Sequence, residues 1–323
     1  MDRDEYRCAS VFTSQNVLLC SCQSYFQAQV AKSINGQILV GDYVRCEKSY
    51  EQLYVKEIIA RKNAISRLQN GKVQGLASNI DVVFIVTSSN QDFNLARLER
   101  YYIIARESGA RIYFVLTKTD LNHDYHEIIH IIAKRFPNCG IKTSNFYEFD
   151  EEAFYKDCWA ENETAILLGS SGVGKSTLIN MLLKNEVIKT NGIRINDGKG
   201  RHTTTVRHVY DLTGNRTIID TPGLRSVGIS PGSNTIQELF PEIFELNRKC
   251  KFADCSHISE PECAIKNALE QDELDYDSYL RYLKLIGDER KREIIQNGRS
   301  YEKEKMLKQL NKNDFTRRNG KWN

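Results

Sequence analysis

The chain has 323 residues, of which 41% are hydrophobic and 27% are charged, and its formal net charge is +3. This length allows two or three domains with their own cores, and the composition is that of an ordinary soluble protein. No stretch approaches the roughly 18 apolar residues of a membrane span, and the charged start, MDRDE, excludes a secretory signal. The nine unevenly spread cysteines argue against a disulfide framework and indicate a reducing, cytoplasmic setting.

The N-terminal segment, up to about residue 65, has the pattern of short strands. Its apolar runs predict strands at residues 6–13, 16–21, 24–30 and 38–44. Asn35-Gly36 and Gly41-Asp42 are turn signals between them. About five short strands in a unit of this size are typical of a small β-barrel of the oligonucleotide-binding (OB) kind. A β-cap on the next domain is the alternative.

From about residue 70, buried strands alternate with amphipathic helices, which predicts an open parallel sheet with helices on both faces. The predicted strands are 80–87, 111–116, 164–168 and 217–219, and the predicted helices are 95–108, 125–136 and 176–184. After residue 234 the strands stop. Helices are predicted there at 237–244, 263–270 and 277–310, followed by a basic tail with Arg317, Arg318 and Lys321.

Residues 169–176, GSSGVGKS, match the pattern G-x-x-x-x-G-K-[ST] of a phosphate-binding loop, with the strand TAILL before it and a helix after it. Glycines let the backbone wrap around a phosphate, so that successive N–H groups and the positive end of the helix face the anion. Lys175 would reach the β and γ phosphates and Ser176 would bind Mg²⁺. The predicted phosphate-binding residues are Gly169, Ser170, Ser171, Gly172, Val173, Gly174, Lys175, Ser176 and Thr177.

Two further elements predict contacts to Mg²⁺ and to the γ-phosphate. The sequence DTPG follows the strand TII and matches D-x-x-G, in which Asp220 orders the Mg²⁺ shell and the Gly223 N–H senses the γ-phosphate. In the upstream stretch GRHTTT, Thr204 is predicted to complete the Mg²⁺ coordination, and His202 is a candidate for positioning the attacking water. Leu224 stands where Ras-type enzymes carry a glutamine, so slow intrinsic hydrolysis is expected.

Guanine recognition is predicted upstream of the phosphate loop. The sequence TKTD follows the strand RIYFVL and differs at one position from the guanine motif N-K-x-D. Asp120 can accept hydrogen bonds from guanine N1–H and N2–H₂, donors that adenine does not offer in that arrangement. Lys118 would pack its stem along the base, whereas Thr117 replaces the asparagine and leaves one amide contact, to the base or the phosphate loop, open. The other predicted base contacts are Thr119, Thr143 and Ser144.

The motifs run in the order base reader, phosphate loop, switch threonines and D-x-x-G, which is a circular permutation of the usual GTPase order. Permutation is physically tolerable because chain termini tend to lie near each other at the surface. The segment after DTPG then leads directly into the C-terminal region, so nucleotide state could pass to that region.

Cys250, Cys255, His257 and Cys263 offer three thiolates and one imidazole within 14 residues. This ligand set is suited to a closed tetrahedral Zn²⁺ site of the structural kind, with reduced core thiols as the alternative. Four protein ligands leave no open position, which argues against a catalytic metal. The other six cysteines lack histidine partners and are interpreted as buried or incidental thiols.

The order of the motifs resembles that of the ribosome small subunit-dependent GTPase A family. The motifs are TKTD, GSSGVGKS, GRHTTT, DTPG and C-x4-C-x-H-x5-C, and RKNAISR at 61–67 is similar to the linker of that family. The resemblance covers nearly the whole chain. It implies an OB-type barrel, a circularly permuted P-loop GTPase domain of α/β type and a helical zinc domain, which we predict at residues 1–68, 69–233 and 234–323. It also implies a bacterial factor that binds the small (30S) ribosomal subunit and its rRNA during late maturation, with hydrolysis stimulated by that subunit.

The expected ligands are GTP or GDP with Mg²⁺ and one structural Zn²⁺, and a cytoplasmic monomer without a membrane partner is expected. Two other functions stay open from the residues alone, a P-loop ATPase or small-molecule kinase and a nucleotide-independent RNA-binding adapter. Asp120 distinguishes the first of these from a GTPase, and the intact Lys175 and Ser176 argue against the second.

Overall fold

A computed structural model gives the fold and describes residues 4–21, 24–69, 72–90, 92–122, 124–145, 147–183, 208–221, 234–253, 255, 257 and 260–297. The chain divides into two compact units. The first comprises Met1–Arg67 and Gln74–Val227, and the second comprises Leu68–Val73 and Gly228–Asn323. Within the described ranges, no helix has the length and apolar character needed to cross a membrane.

The first unit begins with a closed five-stranded barrel. Its strands are β1 (Glu5–Val11), β2 (Asn16–Ser21), β3 (Ser24–Val30), β4 (Tyr43–Ser49) and β5 (Gln52–Ile58). They close in the order β1-β2-β3-β5-β4, and all neighbours are antiparallel except β3 and β5. Alternate side chains fill the interior, among them Cys8, Leu19, Val44 and Val55. The OB-type barrel predicted from the strand pattern is confirmed.

One predicted strand of the barrel, at residues 38–44, is wrong. Ile38, Leu39 and Val40 are buried, but they lie outside the strands apart from an isolated bridge between Val40 and Ala77. The chain turns at Gly41, whose φ of +92° favours glycine, and β4 begins only afterwards. An apolar run cannot by itself distinguish a buried irregular segment from a strand.

The carboxylate of Asp42 holds this turn against the segment that leaves the barrel. Its side chain is fully buried and accepts hydrogen bonds from the Leu39 N–H at 2.7 Å and from the Ser78 hydroxyl at 2.6 Å. The Arg61 guanidinium donates two more, at 2.6 and 2.7 Å. A buried carboxylate is tolerated only when its charge is paired and its lone pairs are satisfied, as they are here. Asp42 therefore fixes the barrel to the linker that starts at Arg61.

The linker leads through β6 (Ala64–Gln69) and β7 (Lys72–Ser78), a two-stranded sheet that the sequence pattern did not predict, into a six-stranded sheet. The strands of this larger sheet are β8 (Val82–Ser88), β9 (Arg111–Thr117), β10 (Gly140–Ser144), β11 (Thr164–Gly169), β12 (His208–Asp211) and β13 (Thr217–Asp220). Their order is β10-β9-β8-β11-β13-β12. All neighbours are parallel except β12, which is antiparallel to β13. The predicted parallel sheet therefore carries one antiparallel strand, which the sequence pattern did not predict, at this edge.

Among the described residues, four helices connect these strands, and all except the short one at residues 151–155 were predicted from the alternation. They are α1 (Leu95–Glu107), α2 (Tyr125–Arg135), α3 (Glu151–Tyr155) and α4 (Lys175–Leu182). The two central strands, β8 and β11, are buried along their whole length, as expected for strands covered on both faces. Phe84 of β8 packs on Phe154 and Trp159, with ring centroids 5.3 and 5.6 Å apart. This core fixes the strands whose carboxyl ends carry the predicted nucleotide motifs.

The second unit contains α5 (Thr235–Leu239), α6 (Pro241–Asn247), α7 (Ala264–Glu270) and α8 (Tyr276–Asn297). The single helix predicted at 237–244 is two helices, because Pro241 has no N–H to continue the first and starts the second. Phe240 and Phe244 both pack on Tyr282 of α8, with ring centroids 5.7 and 5.9 Å apart. The helices predicted at 263–270 and from 277 onward are confirmed, and residues 298–310 and the basic tail lie outside the described residues.

Candidate functional site

The backbone of the GSSGVGKS loop requires glycine at all three glycine positions. The loop follows β11 and leads into α4. Gly172 and Gly174 have φ values of +82° and +95°, a region that side chains disfavour. A Cβ on Gly169 would lie 2.6 Å from the Val86 carbonyl oxygen, which is too close for a side chain. The sequence therefore folds locally into a tight strand–loop–helix turn whose N–H groups can face an anion.

Lys175 and Asp220 place opposite charges beside this loop. The Lys175 ammonium is buried and donates to the carbonyl oxygens of Gly169 at 3.0 Å and Ser170 at 2.6 Å. Burial lowers its pKa, with Asp220 opposing that shift. Burial also raises the pKa of the Asp220 carboxyl to about 6, with Lys175 opposing that shift. Each charge is therefore poorly solvated. A phosphate beside Lys175 and a cation beside Asp220 would compensate the two charges.

The start of the DTPG motif is anchored to the strand that carries the phosphate loop. Asp220 ends β13, and the hydroxyl of the buried Thr221 donates to the Leu167 carbonyl of β11 at 2.5 Å. Ser176 and Thr177, in the first turn of α4, are exposed. The other predicted switch and catalytic positions lie outside the described residues. They are Thr204, Gly223, His202 and Leu224.

The sequence TKTD lies directly beside the phosphate loop. Thr117 ends β9, and its buried hydroxyl donates to the Val173 carbonyl at 2.6 Å, with the Thr87 carbonyl at 3.1 Å as a second acceptor. A Cβ on Gly174 would lie 3.3 Å from the same hydroxyl oxygen, so the two segments approach closely. The sequence has threonine where the guanine motif has asparagine, and the amide contact to the base or to the phosphate loop was left open. The Thr117 hydroxyl makes a contact to the phosphate loop.

Beyond Thr117 the chain turns so that Asp120 faces outward. Lys118 has a left-handed backbone with φ of +57° and precedes the short 3-10 turn Thr119–Leu121. The Asp120 carboxylate is exposed and makes no hydrogen bond or ion pair with the other described residues. Ser144 is the register partner of Thr117 at the end of β10, so Thr143 and Ser144 lie at the same sheet edge as the base reader.

Two residues that the sequence analysis did not identify brace the predicted base reader, Ser89 after the neighbouring strand and Asn122 after the Thr119–Leu121 turn. The Ser89 hydroxyl, just after β8, donates to the Lys118 carbonyl at 2.6 Å. The Asn122 side-chain amide donates to the Ser89 carbonyl at 2.7 Å. The signal for Ser89 is that TSSN follows a buried strand, which puts this serine at the carboxyl edge of the sheet. The sequence gives no such signal for Asn122.

Replacing Thr117 with valine is expected to destabilise the first unit by about 1 to 2 kcal/mol, because a buried carbonyl loses its donor. GDP should also bind more weakly, since the base reader and the phosphate loop are no longer joined. Urea unfolding with and without GDP measures both effects. Thr117→Ser keeps the hydroxyl and should retain most of the stability. Equal stability and GDP affinity of the valine variant and the wild type would contradict the proposed link.

A cavity of 670 Å³ opens at the opposite edge of the sheet. Arg111, which begins β9, and Arg216, which precedes β13, are among its lining residues, together with several acidic side chains. These are the amino ends of the strands, whereas parallel sheets bind nucleotides outside the carboxyl ends. The cavity therefore does not belong to the candidate nucleotide site.

In the second unit, the four predicted metal ligands come together. One donor atom from each of Cys250, Cys255, His257 and Cys263 lies within 4.8 Å of all the others. The His257 Nδ1 is 3.7 Å from the Cys250 sulfur and 3.5 Å from the Cys263 sulfur. Tetrahedral Zn²⁺ with Zn–S and Zn–N bonds of the usual length would place such atoms about 3.6 Å apart. The donor set and its spacing therefore fit a metal ion.

Local structure explains how widely spaced ligands reach one centre. Cys250 follows α6, and Cys263 directly precedes α7. His257 has a left-handed backbone with φ of +61°, a strained conformation that its surroundings must hold. The Tyr279 hydroxyl of α8 donates to the His257 carbonyl at 3.4 Å. The cluster thus links three helices of this unit.

Comparisons with known proteins agree with this architecture. The family model described as RsgA GTPase matches residues 58–230. "Small ribosomal subunit biogenesis GTPase RsgA 2" of Vibrio vulnificus is 37% identical over 91% of this chain and 83% of its own length. The protein of the same name from Listeria monocytogenes serotype 4b is 41% identical over 76% of this chain and 70% of its own length.

Two crystal structures share the fold. YloQ, described as a circularly permuted GTPase, is 26% identical with a TM-score of 0.53, covering 90% of this chain and 96% of that chain. YjeQ from Thermotoga maritima has a TM-score of 0.54 at 21% identity, covering 88% of this chain and 99% of that chain. The permuted motif order read from the sequence is confirmed. On these matches, the chain belongs to the RsgA GTPase family.

Proposed function

We propose that this chain is a GTPase that binds the small ribosomal subunit, assists its late maturation and hydrolyses GTP to GDP and phosphate when stimulated by that subunit. The names of the relatives, small ribosomal subunit biogenesis GTPases, support the partner and the process. The observation that carries the proposal is the 2.6 Å hydrogen bond between the Thr117 hydroxyl and the Val173 carbonyl. It joins a guanine reader to a phosphate loop, so that one nucleotide can occupy both.

The residues of this chain divide the work of binding GTP. The exposed Asp120 carboxylate accepts hydrogen bonds from the guanine edge, which selects guanine over adenine. The N–H groups of the phosphate loop and of the first turn of α4 donate to the phosphates. Lys175 exchanges its two carbonyl acceptors for the β and γ phosphates. Thr119, Thr143 and Ser144 complete the surroundings of the base.

The oxygen ligands at the phosphate end fit Mg²⁺, which prefers carboxylate and hydroxyl oxygen. Mg²⁺ bound with the nucleotide supplies charge neutralisation at the phosphates. Ser176 and Asp220 would hold it, and the raised pKa of Asp220 shows how much its carboxylate lacks solvation. Thr204 and Gly223 keep the roles proposed from the sequence, as ligand and as sensor of the γ-phosphate.

Hydrolysis by the isolated protein should be slow. Leu224 has no polar group that could orient the attacking water, unlike the glutamine of Ras-type enzymes. His202 is the proposed water-positioning group from this chain. The ribosomal subunit then accelerates the reaction by supplying or ordering the missing group. A cytoplasmic location is proposed because the proposed partner is a ribosomal subunit.

The cluster in the second unit is proposed to hold one structural Zn²⁺. Three thiolates and one imidazole at mutual distances within 4.8 Å fill a tetrahedral shell and leave no position for a substrate. We further propose that the segments predicted at 1–68, 69–233 and 234–323 act as three modules of a monomer. Since the DTPG segment leads into the third, nucleotide state can alter how that module meets the rRNA.

GTP turnover with and without purified small ribosomal subunits tests the proposal. Turnover should rise at least about tenfold with small subunits, since partners that complete a GTPase site act far more strongly than that. Large subunits are the control and should give no such increase. Intact GTP binding without stimulation by small subunits would contradict the ribosomal role. Equal competition by ATP and GTP would instead favour an ATPase or kinase.

A further inference from the structure

Arg97 reaches from the first turn of α1 to the phosphate loop. The Asn94 side chain caps this helix by accepting a hydrogen bond from the Arg97 N–H at 3.0 Å, which fixes the position of the arginine backbone. The half-buried Arg97 guanidinium then donates from Nη1 to the Ser170 hydroxyl at 2.7 Å. Ser170 is the second residue of GSSGVGKS, so a helix outside the loop holds one of its side chains.

Ser170 is held from three directions. Its carbonyl accepts a hydrogen bond from the Lys175 ammonium at 2.6 Å. Its hydroxyl contacts Arg97 and also hydrogen-bonds the Tyr101 hydroxyl, one turn further along α1. Tyr101 is fully buried, and burial raises the pKa of its phenol, so the hydroxyl stays neutral. The position of Ser170, and with it the course of the loop, therefore depends on α1.

No carboxylate of the described residues pairs with Arg97. Arg61, Arg111 and Arg135 each form an ion pair, with Asp42, Glu163 and Glu99 respectively. Across the described ranges, the hydrogen bond to Ser170 is the one polar contact of the Arg97 guanidinium. A half-buried cation without an anion beside it favours an anionic ligand nearby. The phosphate loop is the adjacent site built for one.

We propose that Arg97 is a positioning residue of the phosphate loop. Through the Ser170 hydroxyl it holds the loop in the form that binds phosphates, and it thereby raises the affinity for nucleoside diphosphates and triphosphates alike. The proposal rests on the proposed function, since it requires the loop to bind guanine nucleotides. It adds a residue of α1 that lies outside every sequence motif of the site.

Competition against a fluorescent GDP analogue tests this role in the full-length protein. Arg97→Met keeps the length of the side chain and should weaken binding of GDP and GTP equally, by about tenfold, because a hydrogen bond to a charged group is lost. GMP, which lacks the β-phosphate, should lose less than about threefold, since the loop backbone and its lysine cradle the β and γ phosphates. A merely structural defect would weaken all three nucleotides together.

A double-mutant cycle with Ser170→Ala tests whether Arg97 acts through the serine. The double variant should bind GDP no more weakly than Ser170→Ala alone, because the contact that Arg97→Met removes is already lost with the serine hydroxyl. Arg97→Lys should recover part of the lost GDP affinity, since lysine can donate one hydrogen bond. It also replaces Arg97→Met in the binding experiment if the methionine variant folds poorly. Thermal unfolding without nucleotide monitors folding of each variant.

Three results would overturn the role of Arg97. The first is additive losses of GDP affinity in the double-mutant cycle, and the second is unchanged GDP binding by Arg97→Met. The third is a loss of affinity confined to GTP, which would indicate direct contact with the γ-phosphate. If the wild-type protein binds no guanine nucleotide, both this role and the proposed function fail. Normal wild-type binding with an unchanged variant overturns the role of Arg97 alone.

Discussion

Replacing Lys175 with alanine is expected to abolish binding of GTP and GDP. Its ammonium donates to the Gly169 and Ser170 carbonyls, at the position from which a P-loop lysine reaches the β and γ phosphates. Losing these charge-assisted contacts should cost about 3 kcal/mol or more, which corresponds to more than a hundredfold in affinity. Equilibrium binding of a fluorescent GDP analogue measures the loss.

The control for this variant is Lys56→Ala, which removes an exposed lysine that pairs with Glu47 on the surface of the barrel. It should bind GDP as the wild type does. Thermal unfolding checks that the Lys175 variant is folded, because the substitution removes a poorly solvated ammonium but also the donor to two carbonyl oxygens. Retained GDP affinity in a folded Lys175→Ala protein would refute the assignment of the phosphate loop.

Replacing Cys255 with serine is expected to release the metal and loosen the second unit. Cys255 is buried and is one of four donors that lie within 4.8 Å of one another. Binding of structural Zn²⁺ contributes about 10 kcal/mol or more to the folding of small zinc domains, so losing one thiolate should cost a large part of that. Zinc content, limited proteolysis and thermal unfolding together measure the effect.

Cys139→Ser provides the matched control, because it makes the same substitution in the first unit, away from the cluster. This variant should keep its zinc and its protease resistance. Nucleotide binding should remain in Cys255→Ser, since the base reader and the phosphate loop lie in the other unit. A Cys255→Ser protein that retains one zinc per chain and resists protease would refute the structural metal.

The sequence predicted those parts of the site in which a few adjacent residues determine the local backbone. The loop glycines 172 and 174 adopt the positive φ values that the motif requires, and the barrel and the central sheet follow from the periodicity of apolar residues. The four metal ligands also come together, because cysteine and histidine have few other reasons to cluster. The roles of the individual site residues remain predictions.

Features that depend on the packing of distant segments could not be predicted in this way. The pairing of β12 with β13 in antiparallel sense and the irregular segment at residues 38–42 follow from contacts rather than from apolar pattern. The same is true of the hydrogen bonds that Ser89, Asn122 and Arg97 make to the predicted site, since each of them joins segments that are distant in the sequence. Thr117 is the clearest case, since the substitution suggested a lost contact and the threonine makes one.

The strand order has a consequence for how the chain is made. β8, β9 and β10 leave the ribosome before β11 and can pair with one another, but the other edge of β8 is covered only by β11. Until β11 has been synthesised, the apolar strand β8 has an open edge, which is a template for pairing between chains. A nascent or truncated chain that ends before Thr164 therefore carries an aggregation hazard that the complete protein conceals.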